Sequence, residues 1–235
     1  MANPAEQGQI EESSSAAMAQ SVLTAPMATI GVPTEIKVDE QRVALTPDAV
    51  KELVTHGLEV RIQSGAGSGA GIDDDAFAAA GAQIVDQEQA WGAHLVVKVK
   101  EPQPEEFRFL RNDMVLFTYL HLAAYPEVGE ALLAAGTTGV AYETVQLENG
   151  TLPLLAPMSE IAGRVAAQVG ARMLERPQGG RGVLIGGCTG VQPARVVVLG
   201  AGTVGWNAAR LVAAMDAEVM LLDRSPERLR SLEAY

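Results

Sequence analysis

The sequence predicts an α/β protein of two domains, each built on a mostly parallel sheet. Short apolar runs rich in β-branched residues alternate with helical stretches that end in glycine. The 235 residues are 48% hydrophobic and 20% charged, which is typical of a folded globular protein. A glycine-rich turn between a strand and a helix begins close to the last residue, Tyr235, so the second domain is expected to be incomplete.

Six short apolar runs are predicted to be the strands of the first domain: TIGVP (29–33), LEVRI (58–62), AQIV (82–85), HLVVKVK (94–100), MVLFTYL (114–120) and TTGVAYETV (137–145). Between the first two, Thr46 is the predicted N-cap and Pro47 the first residue of a helix that ends before Gly57. The segment PEVGEALLAAG (126–136) is a predicted helix that also ends in glycine.

The domains are predicted to divide between residues 158 and 159. Ser159 can cap a long helix whose apolar residues repeat at helical spacing: Ile161, Val165, Val169 and Met173. A glycine-rich surface loop then leads to the strand RVVVLG. Residues 1–27 are small, polar and non-periodic, so we expect a disordered extension, with Met27 as a candidate start.

Composition excludes several classes of function. The net charge is −12 and no Lys/Arg cluster occurs, which argues against nucleic acid and anionic membranes as partners. No apolar run reaches 18 residues, so no membrane span is expected. Cys188 is the only cysteine, and the histidines match no metal-ligand spacing: His56, His94 and His121. We therefore expect a soluble, cytoplasmic protein without a metal.

Gly200, Gly202 and Gly205 fit the G-x-G-x-x-G pattern of a Rossmann dinucleotide-binding turn. The pattern follows an apolar strand and opens a helix, and a second strand ends in Asp223, 18 residues past Gly205. The pyrophosphate of the cofactor would lie at the helix N-terminus. Asp223 would bind the adenosine ribose and repel a 2′-phosphate, which favours NAD over NADP, although Arg224 weakens this preference. A turn that binds nothing is the alternative.

A second glycine-rich stretch, GAGSGAG (65–71), is predicted to be a loop near the substrate site and not a second phosphate cradle. Three aspartates follow it at 73–75, and their charge would repel a pyrophosphate. No helix with an exposed amino end is expected close behind it.

Four cationic or titratable residues are candidates for chemistry. His121 lies just past a predicted strand, where ligands of α/β sheets collect, and histidine exchanges protons near neutral pH. Lys98 and Lys100 alternate on one strand face, and Arg42 before a helix could clamp a carboxylate. The alternatives are a core histidine bonded to a carbonyl, an edge strand with snorkelling lysines, and a solvated loop arginine.

Taken together, eight stretches closely resemble the alanine dehydrogenase family: GVPTEIK…RVALTP, GAGSGAGI, LVVKVKEP, FTYLHLA, AYETVQ, LPLLAPMSEIAGRVAAQVGA, GGRGVLIGG and VVVLGAGTVGWNAAR. The resemblance runs in order from about Thr29 to the last residue. It implies two Rossmann-like domains and the reversible, NAD-dependent oxidative deamination of L-alanine to pyruvate and ammonia. It also implies a homo-oligomer, since hexamers are typical of the family.

The resemblance assigns roles residue by residue. Arg42 and Lys100 would hold the substrate carboxylate and carbonyl, and His121 would be the acid/base group. The residues expected to contact NAD are Ser159, Gly200, Gly202, Thr203, Val204, Gly205, Asp223 and Arg228.

Family members continue well past the position of Tyr235, with a catalytic aspartate and nicotinamide contacts in that part. We therefore expect a C-terminally truncated chain that is weakly active or inactive alone. One alternative is the NAD-binding subunit of proton-translocating transhydrogenase, which has no need for the Lys100 and His121 pair. Another is a non-catalytic fragment that associates with intact subunits.

Overall fold

The computed structural model describes residues 28–233, so the predicted disordered extension (1–27) lies outside the described residues. The chain forms two compact units that divide between Thr144 and Val145. The predicted domain boundary at 158/159 falls later, inside the first helix of the second unit.

The first unit contains a six-stranded, entirely parallel sheet, which confirms the predicted α/β class. Its strands are β1 (Thr29–Val32), β2 (Glu59–Gln63), β3 (Gln83–Val85), β4 (Leu95–Val97), β5 (Val115–Thr118) and β6 (Thr138–Ala141). Their order across the sheet is β3-β2-β1-β4-β5-β6. The chain therefore builds outward from β1 in one direction and then returns to build outward in the other, so a ligand crevice is expected at the carboxyl ends of β1 and β4.

Four helices connect these strands: α1 (Pro47–Thr55), α2 (Asp74–Ala79), α3 (Gln87–Trp91) and α4 (Pro126–Ala135). The hydroxyl of Thr46 accepts a hydrogen bond from the Ala49 amide at 3.3 Å, and Pro47 opens α1, as predicted. Gly136 ends α4 with a φ of 69°, a left-handed conformation that only glycine adopts without strain. Short 3₁₀ turns complete the unit at Ser68–Ala70, Pro104–Phe109 and Tyr142–Thr144.

Apolar side chains fill both faces of this sheet. One cluster contains Trp91, Val96, Leu116 and Leu132, and the other contains Val32, Val50, Ile62 and Phe77. Strands buried on both faces are expected in a parallel sheet that helices cover on each side.

The second unit contains α5 (Ala156–Met173), β7 (Arg195–Leu199), α6 (Thr203–Ala214), β8 (Glu218–Leu222) and α7 (Pro226–Leu232), with a 3₁₀ turn at Arg176–Gln178. Strands β7 and β8 pair in parallel around α6, which gives the predicted βαβ arrangement. Ser159 is not the N-cap of α5, because the helix begins three residues earlier, at Ala156, after Leu155.

The buried face of α5 consists of small residues. Gly163 and Ala167 are buried, and a Cβ on Gly163 would lie 2.3 Å from the carbonyl oxygen of Val204 in α6. The larger apolar residues that repeat along α5 are about half exposed: Ile161, Val165, Val169 and Met173. The helical repeat was therefore predicted correctly, but α5 packs on α6 through its small residues. Within residues 28–233 no helix is long and apolar enough to cross a membrane.

Candidate functional site

The candidate site of the first unit lies at the carboxyl ends of β1, β4 and β5, which are adjacent in the sheet. Arg42 follows β1, Lys100 follows β4 and His121 follows β5. The positive charge of Lys100 acts on Glu40, which is the ion-pair partner of Arg42. The Tyr119 ring lies 5.7 Å from the His121 ring and also experiences the charge of Arg42. Arg42 and Lys100 therefore share Glu40 as a neighbour, and Arg42 and His121 share Tyr119. The three predicted residues thus lie in the same region of the first unit.

Arg42 is anchored and is not a free loop charge. Its Nε donates to Glu40 Oε1 at 2.8 Å and its Nη2 to Glu40 Oε2 at 2.5 Å. These hydrogen bonds hold the pKa of the Glu40 carboxyl below its usual range. The pair fixes the orientation of the guanidinium, and a fixed guanidinium can bind a further carboxylate at a smaller cost in side-chain entropy.

The two lysines after β4 have different environments. The strand ends at Val97, so Lys98 and Lys100 lie beyond it, and β4 is an inner strand, which overturns the snorkelling alternative. Lys98 is buried, with its ammonium 2.9 Å from Glu106 Oε1 and 3.2 Å from Glu35 Oε2. Lys100 is half-buried and forms no ion pair with a described residue. Lys100 is therefore the lysine of this pair that can meet a ligand.

Glu35 ties the backbone next to Lys100 to this buried ion pair. Its carboxylate accepts hydrogen bonds from the amides of Val99, at 2.6 Å, and Lys100, at 3.4 Å. Burial raises the pKa of the Glu35 carboxyl above its usual range, against the attraction of Lys98.

His121 has a strained backbone and a well-defined set of neighbours. Its φ is 48°, an uncommon left-handed conformation for a residue with a side chain. The Glu143 carboxylate accepts hydrogen bonds from the amides of His121, at 2.7 Å, and Leu120, at 3.1 Å, and so holds this conformation. The imidazole is 39% exposed, which is compatible with contact to a substrate.

Sequence reasoning missed the partners of His121. Its Nδ1 lies 3.3 Å from Oε2 of Glu101, whose other carboxylate oxygen accepts a hydrogen bond from Lys37. Lys37 also donates to the hydroxyl of Tyr125 at 3.2 Å. Glu101 belongs to the KVKEP segment, and its position just after a predicted strand could have marked it as a candidate site residue. Lys37 and Tyr125 come close to Glu101 and His121 because β1, β4 and β5 are adjacent in the sheet, which the local sequence does not indicate.

The GAGSGAG loop packs beside the Arg42 segment. A Cβ on Gly69 would lie 2.8 Å from the carbonyl oxygen of Gln41. A short helix, α2, does follow the loop closely, contrary to the prediction, but the Asp74 side chain accepts a hydrogen bond from the Gly65 amide at 2.9 Å. An aspartate thus occupies the position at the loop amide that a phosphate would need.

The glycine-rich turn of the second unit has the geometry that its pattern predicts. Gly200 has a φ of 102°, which requires glycine. A Cβ on Gly205 would lie 1.8 Å from the Gly200 carbonyl oxygen, so glycine allows α6 to start against the turn. A Cβ on Gly202 would meet nothing within 4 Å, which leaves open space at the helix N-terminus. Thr203 and Val204 form the first turn of α6.

Asp223 follows β8 and reaches across to this turn. It accepts hydrogen bonds from the Ser225 amide at 2.8 Å and the Ala201 amide at 2.7 Å, and these bonds lower the pKa of its carboxyl. Arg228 approaches the same carboxylate at 3.4 Å. A groove of about 800 Å³ borders the turn and is lined by residues that include Ser159, Gly202 and Thr203.

These residues fit a dinucleotide. The open space over Gly202 and the free amides at the start of α6 suit a pyrophosphate, and an ionised carboxylate at the end of β8 suits a ribose. Among residues 28–233, no group of three or more His, Cys, Asp or Glu side chains is arranged to hold a metal.

Comparison with known families gives two adjoining matches. Residues 31–162 match the family described as "Alanine dehydrogenase/PNT, N-terminal domain". Residues 166–235 match "Alanine dehydrogenase/PNT, C-terminal domain". Together these matches cover nearly all of the described residues.

Curated relatives agree with these matches. The alanine dehydrogenase of Bacillus subtilis is 52% identical over 205 residues, and that of Mycobacterium tuberculosis is 58% identical over 207 residues. Each alignment covers 87% of this chain but only 54% and 56% of the relative, so the chain spans about half the length of the curated relatives it matches.

Two solved structures are also similar. An L-alanine dehydrogenase superposes with a TM-score of 0.82 at 53% identity, covering 88% of this chain and 57% of that protein. A transhydrogenase from Sinorhizobium meliloti superposes with a TM-score of 0.74 at 25% identity, covering 88% of this chain and 62% of that protein. The chain therefore resembles the dehydrogenase more closely than the transhydrogenase.

Proposed function

We propose that this chain, which belongs to the alanine dehydrogenase/PNT family, takes part in the NAD-dependent oxidative deamination of L-alanine to pyruvate and ammonia. The observation that carries the proposal is the meeting of Arg42, Lys100 and His121 at the carboxyl ends of three adjacent strands. Two cations and a titratable ring at one edge of the sheet suit a small amino acid or 2-oxo acid.

Arg42 and Lys100 would hold the substrate. The guanidinium of Arg42, oriented by Glu40 through Nε and Nη2, would bind the substrate carboxylate by charge-assisted hydrogen bonds. The ammonium of Lys100, which has no ion pair in the described part of the chain, would polarise the carbonyl oxygen of pyruvate. Together they would place Cα for transfer of its hydrogen.

His121 would move the protons of the reaction. Oxidation of the amine to an imine releases a proton from nitrogen, and addition of water and loss of ammonia need further proton transfers. The partly exposed imidazole can accept and return these protons.

The second unit would bind NAD through Ser159, Gly200, Gly202, Thr203, Val204, Gly205, Asp223 and Arg228. NAD, when bound, supplies the acceptor for the hydride from Cα of alanine. Asp223 would accept hydrogen bonds from the ribose, and its negative charge favours NAD over a cofactor with a 2′-phosphate.

NADH formation at 340 nm with L-alanine is measured first on this chain, which spans about half the length of its curated relatives. A second protein tests the proposal at full family length: a chimera in which residues 28–235 replace the matching segment of the Bacillus subtilis enzyme. We expect turnover in the chimera, abolished by His121→Ala and with a raised KM for alanine in Arg42→Lys. A folded chimera without turnover, or turnover that survives His121→Ala, would contradict the assigned roles.

The transhydrogenase likeness supports one alternative, a nucleotide-binding subunit without a small substrate. That function predicts NAD binding that alanine and pyruvate do not alter. Titration calorimetry of NAD with and without pyruvate separates the two. The expectations of a cytoplasmic protein and a homo-oligomer stay predictions, and sedimentation equilibrium of the purified chain tests the second.

A further inference from the structure

We propose that Glu101 is the positioning residue for His121, and that its carboxylate fixes the proton of the neutral imidazole on Nδ1 so that Nε2 faces the substrate. This inference deepens the proposed function, and its catalytic meaning rests on the proposed role of His121. The proposed function gives the Glu101 carboxylate no role.

The two oxygens of Glu101 have separate partners. Oε2 lies 3.3 Å from Nδ1 of His121, and Oε1 accepts from the ammonium of Lys37. The Glu101 side chain is only 2% exposed, so water does not compete for these oxygens. The carboxylate therefore lies between the Lys37 ammonium and the imidazole.

The charge of Glu101 determines which nitrogen of His121 holds the proton. Burial by itself would raise the pKa of the Glu101 carboxyl, but the hydrogen bond from Lys37 and its positive charge bring that pKa below its usual range. An ionised carboxylate only accepts hydrogen bonds. Nδ1 must then be the donor, and in the neutral ring Nε2 is left as the acceptor.

Aromatic neighbours restrict the plane of the imidazole but do not choose between its two flipped orientations. Tyr119 stacks on the ring at 5.7 Å between centroids and 30° between planes, and Tyr125 meets it nearly edge-on at 6.5 Å. A half-turn of the ring would keep both packings. Within residues 28–233, the Glu101 carboxylate is the group that hydrogen-bonds a ring nitrogen of His121 and so distinguishes it from a ring carbon.

Lys37 connects the network to a second strand. It donates to both Glu101 and the Tyr125 hydroxyl, and its ammonium lies 4.4 Å from the Tyr125 ring centroid. Loops that follow β1, β4 and β5 thus contribute to holding one imidazole. A correctly positioned general acid/base contributes about 10²–10⁴-fold to the reaction rate, so a misoriented imidazole would slow the reaction.

The test is ¹⁵N NMR of the histidine side chains in this chain, at a pH where the rings are neutral. The His121→Phe variant assigns the signals of His121 by their absence. In the wild type we expect Nδ1 to resonate as a protonated nitrogen and Nε2 as an unprotonated one. The opposite pattern in the wild-type spectrum would overturn the proposal without any further variant.

Glu101→Gln removes the charge at nearly constant shape, and we expect the proton of His121 to move largely to Nε2. Glu106→Gln is the matched control, because Glu106 is an equally buried carboxylate whose hydrogen-bond partners are Lys98 and Gln103, and it should keep the proton on Nδ1. A Glu101→Gln spectrum identical to that of the wild type would show that the carboxylate does not orient the ring.

The kinetic consequence is measured separately in the chimera. Glu101→Gln should lower kcat by about 10²-fold or more, within the range of a mispositioned acid/base group, and change KM little. A change in KM alone, with kcat retained, would reject a positioning role. Absence of alanine turnover in the unmodified chimera would reject the proposed function and leave the NMR result intact.

Discussion

At the scale of single residues, the candidate site depends on carboxylates that hold cations and amides in place. Glu40 directs Arg42, Glu35 holds the amides of Val99 and Lys100, and Glu101 faces His121. Each of these carboxylates lies on a loop that follows a strand, where its partners are brought within hydrogen-bond distance. The residues predicted to meet the substrate are thus supported by a set of acidic residues.

Glu40→Gln tests the support of Arg42. The pKa of Glu40 is lowered in the fold, so its contribution to the free energy of unfolding is present above the unfolded pKa and is lost as pH falls through the folded one. We expect the wild type to lose more stability than Glu40→Gln below about pH 4.5, the usual range of a glutamate. Urea unfolding at pH 6 and pH 3 measures this, and parallel losses in the two proteins would contradict it.

Gly205→Ala and Gly202→Ala separate folding from binding at the glycine-rich turn. Gly205→Ala places a methyl group against the Gly200 carbonyl, so we expect a loss of about 1–3 kcal/mol of stability, as in other overpacked sites. Gly202→Ala meets open space, so stability should be unchanged while the affinity for NAD falls. Thermal unfolding and calorimetry with NAD check both, and equal melting temperatures of the two variants would refute the packing argument.

At the scale of elements, β4 organises the first unit. It pairs with β1 on one side and β5 on the other, and its carboxyl end carries Lys98, Lys100 and Glu101. Lys98 is in a buried ion-pair cluster, Lys100 can meet a ligand, and Glu101 faces His121. The direction of a side chain after a strand end thus separates neighbours in sequence into different roles.

Lys98→Met tests the buried cluster below β4. It would leave the carboxylates of Glu35 and Glu106 buried without a cation, so we expect a loss of about 3–5 kcal/mol of stability. The loss should shrink as pH falls, because the pKa of Glu35 is already raised and protonation removes the uncompensated charge. Urea unfolding at several pH values measures it.

Lys51→Met is the matched control for this experiment, since Lys51 is an exposed residue of α1. It should change stability by less than about 0.5 kcal/mol. If the two substitutions have the same effect, the buried ion pair does not contribute to stability as argued.

At the scale of the whole molecule, the two units differ in how completely their strands are covered. Val32 and Leu116 in the first sheet are fully buried, whereas Leu199 of β7 is 82% exposed and Met220 of β8 is 51% exposed. Packing of both sheet faces against helices is what protects a parallel sheet. The second unit is therefore expected to be the less stable of the two.

Hydrogen–deuterium exchange with mass spectrometry tests this difference. We expect amides of β1, β4 and β5 to exchange far more slowly than those of β7 and β8, because exchange reports the free energy of local opening. Addition of NAD should slow exchange at Gly200–Gly205 if the turn binds the cofactor. Equal protection in the two sheets would contradict the expected order of stability.

Local chemistry made much of the fold predictable from the sequence. The start of α1 at Pro47, the end of α4 at Gly136 and the turn from Gly200 to Gly205 each follow from a conformational requirement of one residue type. Ser159 is an exception, since the helix begins earlier, at Ala156, and a capping residue type alone did not locate its start.

The sequence by itself determined the alternation of strands and helices, the dinucleotide-type turn and the candidate cations, because these depend on residues close together in the chain. Only the tertiary structure decided which charges meet. Lys37 and Glu101 are 64 residues apart in sequence and join because β1 and β4 are neighbours in the sheet. Periodicity does not report strand order in space, so the burial of Lys98 and the contacts of Glu101 with His121 and Lys37 emerged only from the folded chain.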